Sequence, residues 1–289
     1  MQLRSFFAAL VCLCLLSSPG LLRAQSYFEL GIQGGDMPYN GDLSDAGLGF
    51  LSDWNTFGGF YLRYRPVSRV GVRFNGVFGQ IQAEQDINLR VSPTENALVN
   101  RNFRSTIQEF SLAAELDLFY LGDPEDRFVA PYLMVGIGRT SFDPQTEIEG
   151  RFIDLQPLAT EGQGITTVPG YDPVRYSTNI TTYHLGGGLR AKLSERVVVG
   201  GEISGRITGT DYLDDVTGRR LNYDDILRES GAQAARISNP GVDPVDAPEG
   251  LQYTRGGASN DYYFLINLTV GIRLGGWGGG RGGSGCYSF

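Results

Sequence analysis

The sequence predicts an all-β fold, an eight-stranded antiparallel transmembrane β-barrel with short periplasmic turns and long extracellular loops. Three observations carry this prediction: a long strict alternation near the C-terminus, seven further segments with the same period, and a secretory leader at the N-terminus. In residues 261–274 every second position is apolar: Tyr262, Phe264, Ile266, Leu268, Val270, Ile272 and Leu274. Tyr263, Leu265, Asn267, Thr269, Gly271 and Arg273 lie between them. A period of two sends successive side chains to opposite faces of a strand. At ~3.3 Å per residue the stretch reaches roughly 45 Å, enough to cross the apolar core of a bilayer at a tilt of about 45°.

The N-terminus reads as a leader over residues 1–24. Arg4 gives the positive start, residues 6–16 the apolar segment, and Leu22-Arg23-Ala24 an imperfect cleavage site. A lipoprotein would need a small residue before Cys12 or Cys14, where Val11 and Leu13 stand. Beyond this segment no run of about twenty apolar residues occurs, which excludes a helical membrane protein. Cys286 is the one cysteine left in a mature chain starting near Gln25, so no internal disulfide is expected. The formal net charge of −8 becomes −10 once Arg4 and Arg23 leave, which argues against nucleic acid as a partner.

The strands follow in order. Phe28, Leu30 and Ile32 alternate with Glu29, Gly31 and Gln33 as strand one, followed by a turn-rich loop over 37–53. Strand two, 55–65, sets Phe60, Leu62 and Tyr64 against Tyr61, Arg63 and Arg65. After a tight turn at 66–69, strand three, 70–81, sets Val70, Val72, Phe74 and Phe78 against Gly71, Arg73, Asn75 and Gly79. A long polar loop is expected over 82–101. Strand four, 103–120, carries Phe110, Leu112, Ala114, Leu116 and Leu118 on one face and Glu109, Ser111, Glu115 and Asp117 on the other. The turn 122–126 leads to strand five, 128–142, where Leu133, Val135 and Ile137 oppose Tyr132, Met134, Gly136 and Gly138. After a longer loop, strand six, 180–193, sets Tyr183, Leu185, Leu189 and Ala191 against His184, Gly186, Gly188, Arg190 and Lys192. Strand seven, 197–208, sets Val197, Val199, Ile203 and Ile207 against Gly200, Glu202, Ser204 and Arg206. A loop of about fifty residues returns the chain to the final strand. Connections that alternate long and short match outer-membrane barrels, with both mature ends periplasmic.

A soluble barrel around a ligand would reverse the pattern, with apolar residues inside. Alternation alone does not say which face lines the bore. The charged faces are also the Gly-rich faces, and a narrow bore suits small residues, so the charges are expected inside. That set is Arg63, Arg65, Arg73, Glu109, Glu115, Asp117, Arg190, Lys192, Glu202, Arg206 and Arg273. Eight strands leave space only for side chains to fill. Isolated charges there would be costly, so they are expected to pair into a plug, with a small ion pore as the alternative.

No catalytic, cofactor-binding or metal residue is expected. His184 is the sole histidine, and its same-face neighbours are Thr182 and Gly186, with Ser204 on the next strand at an unfixed height. A hydrolase or acyltransferase needs a nucleophile within hydrogen-bond reach of its base. A hydrogen-bonded bore histidine is the simpler account. Asp211, Asp214 and Asp215 offer oxygen ligands for calcium, but their spacing is not that of an EF-hand, and solvated loop acids are the simpler account. Gly136-x-Gly138 and Gly186-Gly187-Gly188 lie within strands, with no following helix to cradle a phosphate. Residues 275–289 form a Gly-rich tail, periplasmic on this topology, in which Trp277 and Cys286 are candidate partner contacts.

Several stretches resemble one family. Tyr27-Phe28-Glu29-Leu30-Gly31 precedes Gly41-Asp42-Leu43. Further on come Leu155-Gln156-Pro157-Leu158-Ala159-Thr160-Glu161-Gly162-Gln163-Gly164 and Thr210-Asp211-Tyr212-Leu213-Asp214-Asp215-Val216, and the chain ends in a Cys followed by a terminal Phe. Together they resemble the PorG-like outer-membrane barrels associated with the type IX secretion system. The Gly-rich run before Cys286 departs from the more basic tail of that family. The resemblance implies a non-enzymatic component that holds periplasmic secretion-ring proteins, including a lipoprotein, at the outer membrane, with no small-molecule substrate. The alternative is a barrel enzyme or a surface-binding barrel that uses its long outer loops.

Overall fold

The computed structural model describes residues 26–44, 54–124 and 126–274. The expected leader and the tail with Trp277 and Cys286 lie outside the described residues. Eight strands form the body: β1 Tyr27–Asp36, β2 Thr56–Arg65, β3 Val70–Arg90, β4 Asn96–Asp117, β5 Phe128–Ser141, β6 Asn179–Lys192, β7 Val197–Ile207 and β8 Tyr262–Leu274. Each pairs antiparallel with the next. β8 then pairs with β1, from Phe28 opposite Leu274 to Asp36 opposite Ile266. The sheet therefore closes on itself as an eight-stranded antiparallel barrel. Closure satisfies every strand edge, which an open sheet in lipid could not do.

Burial follows the period of two. Along β8, Tyr263, Leu265, Asn267 and Thr269 are buried, while Tyr262, Leu268 and Val270 face out. The outward positions form an apolar wall in which Ile32, Leu185 and Leu268 are 67%, 63% and 73% exposed. Phe60, Phe74, Phe78 and Phe110 join across β2, β3 and β4, with ring centroids 5.7–6.4 Å apart. An apolar band of this kind, continuous around a closed sheet with a polar bore, is the inverse of a soluble barrel. Among the described residues no helix is long and apolar enough to cross a membrane.

Two features correct the sequence reading. First, the expected loop over 82–101 is largely strand: β3 runs on to Arg90, β4 starts at Asn96, and the two stay in register from Arg90 opposite Asn96. Its period of two is intact, with Ala83 and Leu89 buried and Gln82, Glu84 and Asn88 exposed. Outward residues in this part of the hairpin are polar because it rises beyond the apolar wall, so a search for apolar-out strands stops at Ile81. Second, the remaining long loops do not simply project. They fold over one end of the barrel, here called the loop end, as opposed to the terminal end where β1 begins and β8 finishes. Two short strands, Pro144–Ile148 and Arg151–Asp154, pair with each other, and Pro144 and Gln145 also pair with β4. Two helices, α1 Tyr223–Ser230 and α2 Ala232–Ser238, follow the short strand Arg220–Asn222, which pairs with Gln252–Thr254. Asn222 caps α1 by accepting a hydrogen bond from the Asp224 backbone N–H at 3.0 Å. Leu221, Tyr223, Ile226, Ala234, Ala235 and Tyr253 form an apolar core within these loops.

Candidate functional site

The bore is filled in three layers. The layer nearest the terminal end is ionic and centres on Glu115. Its carboxylate lies 2.7 Å from Arg63 Nε, 3.2 Å from Arg73 Nη1, 3.4 Å from Arg190 Nη1 and 3.9 Å from Arg65 Nη1. Each guanidinium also reaches a second acid. Arg63 pairs with Glu29, Arg65 with Asp117 at 2.8 Å, Arg190 with Asp117, and Arg73 with Glu202 through two bonds of 2.7 and 2.9 Å. Four cations thus meet four anions, all buried, as low-dielectric packing of charges requires. Tyr61 and Tyr132 donate to Glu29 at 2.8 Å and to Glu202 at 2.7 Å. Tyr61 crosses the wall where there are no side chains: a Cβ on Gly31 or on Gly271 would sit 2.3 Å from its ring or its hydroxyl. The inward glycines therefore make room for the plug, and none of them opens a phosphate loop.

A second cluster sits higher. Arg206 Nε donates to Glu109 at 3.1 Å, and Tyr263 donates to the same carboxylate at 2.8 Å. His184 Nε2 lies 3.2 Å from Thr182 Oγ1 and 3.6 Å from Glu109. A relay needs the acid and the nucleophile on opposite ring nitrogens. Here both sit at Nε2, and Nδ1 has no hydrogen-bond partner. Ser204 is engaged by Arg206 at 2.7 Å, opposite Gly186, and does not reach His184. Around His184, then, no hydroxyl is activated as a nucleophile.

Two of the charges expected in the bore lie outside these clusters. Lys192 is buried near the terminal end of β6. Arg273 is only partly buried, and its guanidinium lies over the rings of Tyr27 and Phe128, at 4.1 and 5.3 Å from their centroids. Glu29, Tyr61, Tyr132 and Tyr263 belong to the network and were not in the predicted set. Strand parity was the available signal, because each falls on the inward phase of its strand.

Above these two ionic clusters, the second layer of the bore is apolar. Phe57, Val77, Ile81, Phe103, Ile107 and Leu265 pack there with Met37, Leu213 and Val216 from the loops. The expectation of a polar bore thus holds only toward the terminal end. Toward the loop end the inward positions serve as the underside of a folded cap.

The third layer is the cap itself, where segments far apart in sequence converge. Tyr39 donates to Asp214 at 2.6 Å, and the Leu213 backbone N–H donates to Asp261 at 2.9 Å. Asp215 accepts from Tyr176 at 2.8 Å and from Thr160. Glu161 accepts from the Thr217 backbone at 2.8 Å and from its hydroxyl. Arg255 Nη1 donates to Thr160 at 2.7 Å and to the Asp215 carbonyl at 3.0 Å, and lies 3.4 Å from Glu161. Asp42 accepts from the Gly257 backbone N–H at 2.7 Å. Burial pushes the carboxyls of this cap up: Asp214 and Asp211 to about 7, Asp215 to about 6, and Asp261 and Glu161 well above the usual carboxylate range. Of the acids considered for calcium, Asp214 and Asp215 are thus held by separate protein donors. Among the described residues no three His, Cys, Asp or Glu side chains are placed to hold a metal ion.

These features define a plugged, capped eight-stranded barrel with an apolar outer wall. No family model matches the chain, and no curated protein matches it. Among solved structures the chain is similar to neisserial surface protein A, with 9% identity over 86% of this chain and 97% of that one at a TM-score of 0.41. It is also similar to the N-terminal β-barrel domain of Pseudomonas aeruginosa OprF, with 12% identity over 86% and 100% at 0.35. A third is a major outer membrane protein from Thermus thermophilus, with 13% identity over 87% and 100% at 0.37. The barrel rests on its own strand pairings, and no role is drawn from these likenesses.

Proposed function

We propose that this chain is an outer-membrane barrel that acts through its surfaces and conducts no solute, as a non-enzymatic component of a type IX protein secretion system. The observation that carries the non-conducting part is the filled bore: a neutral set of four guanidiniums and four carboxylates lies below an apolar layer and a buried cap. A solute path would have to break these pairs, each costly to separate in a low dielectric. The apolar wall supports outer-membrane lipid as its surroundings. The secretion role rests on the sequence resemblance. The segments that carry it, around Asp42, Thr160–Glu161 and Asp214–Asp215, meet in one hydrogen-bonded cap, so they form one structural unit. In this reading the terminal end and the tail with Trp277 and Cys286 face periplasmic secretion-ring proteins, including a lipoprotein. Affinity purification of the full chain from detergent-solubilised membranes should recover ring proteins, and deletion of residues 275–289 should weaken recovery. Unchanged recovery would remove the tail from the interface, and failure to recover them with the full chain would refute the anchor role. Planar-bilayer recordings should show no steady openings.

A second reading is favoured by a specific observation. The loop end is a folded unit with its own apolar core, built from α1, α2 and the short hairpins. A surface-binding barrel would use this unit, and the two readings differ in which end of the barrel makes contacts.

A further inference from the structure

The tip of the β3–β4 hairpin and the short hairpin of the cap border an open groove of about 400 Å3. Asn88, Arg90 and Asn96 line it from the β3–β4 side, and Arg220, Gln252 and Thr254 from the strands Arg220–Asn222 and Gln252–Thr254. All six are exposed to solvent. Tyr253 lies beneath them, buried, with its hydroxyl 2.5 Å from Ser238 Oγ. Strand pairing fixes both sides: Arg90 stands opposite Asn96, and Arg220 opposite Thr254. The buried Asn239 side chain, just past α2, donates to the Arg90 carbonyl at 2.8 Å and ties the hairpin tip to the cap.

The charge of the groove is one-sided. Two guanidiniums line it and no carboxylate does, in a chain of formal net charge −8. Other arginines of the cap have acids of their own: Arg219 pairs with Asp172, and Arg228 with Asp225 and Glu229. Arg90 and Arg220 have no such partner among the described residues. The neutral groups are also unspent. Further along the same outward face, Asn100 donates to Asp86 at 2.9 Å and Arg104 to Gln145 at 2.9 Å. The side chains of Asn88, Asn96, Gln252 and Thr254 bond no protein group among the described residues. An amide sets donors beside an acceptor and so matches sugar hydroxyls, which both give and accept hydrogen bonds. A planar guanidinium matches a carboxylate in a two-bond fork. Height decides against a lipid headgroup. Arg90 lies twelve residues beyond Phe78 of the apolar wall, roughly 40 Å along the strand at ~3.3 Å per residue. The volume lies within the roughly 300–1,000 Å3 of small-molecule sites.

We propose that this groove binds a short acidic oligosaccharide, with a sugar carboxylate held by Arg90 and Arg220 and ring hydroxyls on Asn88, Asn96 and Gln252. This ligand class rests on the surface-binding reading of the loop end and not on the anchor role at the opposite end. The test uses the full chain in lipid nanodiscs, titrated calorimetrically with trigalacturonate and with a hyaluronate tetrasaccharide, against empty nanodiscs. Saturable one-site binding is expected for at least one of them, at least ten-fold tighter than for neutral maltotriose and than for inorganic sulfate. The double variant Arg90→Gln/Arg220→Gln should weaken binding at least ten-fold. Gln252→Ala, which leaves both charges, should weaken it at least two-fold. Arg236→Gln removes an exposed charge of the same end outside the groove and should leave the affinity unchanged. Heat-modifiable gel mobility reports that each variant is folded. No saturable binding of either acidic saccharide would overturn the proposal, and so would maltotriose or sulfate binding as tightly. Wild-type affinity in the folded double variant, or an equal loss in Arg236→Gln, would place the saccharide elsewhere on the loop end; that outcome overturns the groove site and leaves the surface-binding reading standing.

Discussion

Glu115→Gln is the most direct test of the plug. The substitution keeps the side chain's size and one acceptor oxygen but removes the charge on which Arg63, Arg65, Arg73 and Arg190 converge. Glu29, Asp117 and Glu202 remain, so four guanidiniums face three carboxylates, and one buried positive charge has no counter-charge. Breaking a buried pair by removing one partner costs about 3–5 kcal/mol, mostly from the stranded charge. Arg63, with the shortest contact to Glu115, should dominate. A second substitution, Arg63→Met, should therefore restore part of the loss, and the double-mutant cycle should give a coupling of roughly 1–3 kcal/mol. The measurement is urea unfolding from phospholipid vesicles, followed by the shift between folded and unfolded gel mobilities. A loss below about 0.5 kcal/mol for Glu115→Gln, the range of ordinary surface changes, would refute the reasoning. So would simple additivity of the two substitutions, because independent sites do not share a charge.

Three further outcomes are expected. Leu185, 63% exposed on the apolar wall, should tolerate arginine poorly: Leu185→Arg should cost about 2–4 kcal/mol in vesicle unfolding if lipid covers it, and an unchanged value would argue that water does. Gly35→Ala should impair assembly by about 1–3 kcal/mol or more, because its Cβ would lie 2.0 Å from the Ile266 carbonyl oxygen across the seam that closes the barrel; wild-type folding yield into vesicles would contradict the β1–β8 register. The cap should hold more firmly at acidic pH. Asp214 and Asp215 titrate at about 7 and about 6 in the folded cap and near the ordinary value of about 4 when exposed. The closed cap therefore keeps protons that the open loops release. Its extra stability is complete below about pH 4 and is lost as pH rises through 6 to 7. Hydrogen exchange at residues 210–217, corrected for intrinsic rate, should show greater protection at pH 5.5 than at pH 8, and the reverse order would overturn the burial argument.

The barrel was legible because lipid and bore impose opposite demands on alternate residues. Where the outer face is apolar, as along Phe28–Leu30–Ile32 or Leu133–Val135–Ile137, the phase of each strand follows from its residues, and so does the inward set. Where the hairpin of β3 and β4 leaves the wall, Gln82, Glu84 and Asn88 replace the apolar row and the same period passes for a loop. Pairing within the bore was not legible. The two guanidinium bonds from Arg73 to Glu202 join residues 129 apart in sequence across the barrel, and that distance depends on strand stagger. The cap was hidden for a related reason. Its polar groups look like solvated loop residues until Thr160, Asp215 and Arg255 are seen to satisfy one another.

The change of chemistry along the bore gives the two ends different work. An ionic layer resists separation but depends on geometry, since each carboxylate must find its donors at hydrogen-bond distance. It lies at the terminal end, where neighbouring strands are joined by the short turns after β2, β4 and β6 and their registers are tightly fixed. The apolar layer makes no directional demand. It lies where long loops descend into the mouth through Met37, Leu213 and Val216, and hydrophobic contact can seat such loops without fixing every dihedral in advance. Loosening of the cap, by pH or by a ligand, should therefore stop at the apolar layer and leave the ion pairs below it closed. A cap variant such as Arg255→Met should raise hydrogen exchange at residues 155–164 and 210–217 while leaving the amides of Arg63, Glu115 and Glu202 protected. Joint loss of protection at both levels would show that cap and plug open as one cooperative unit.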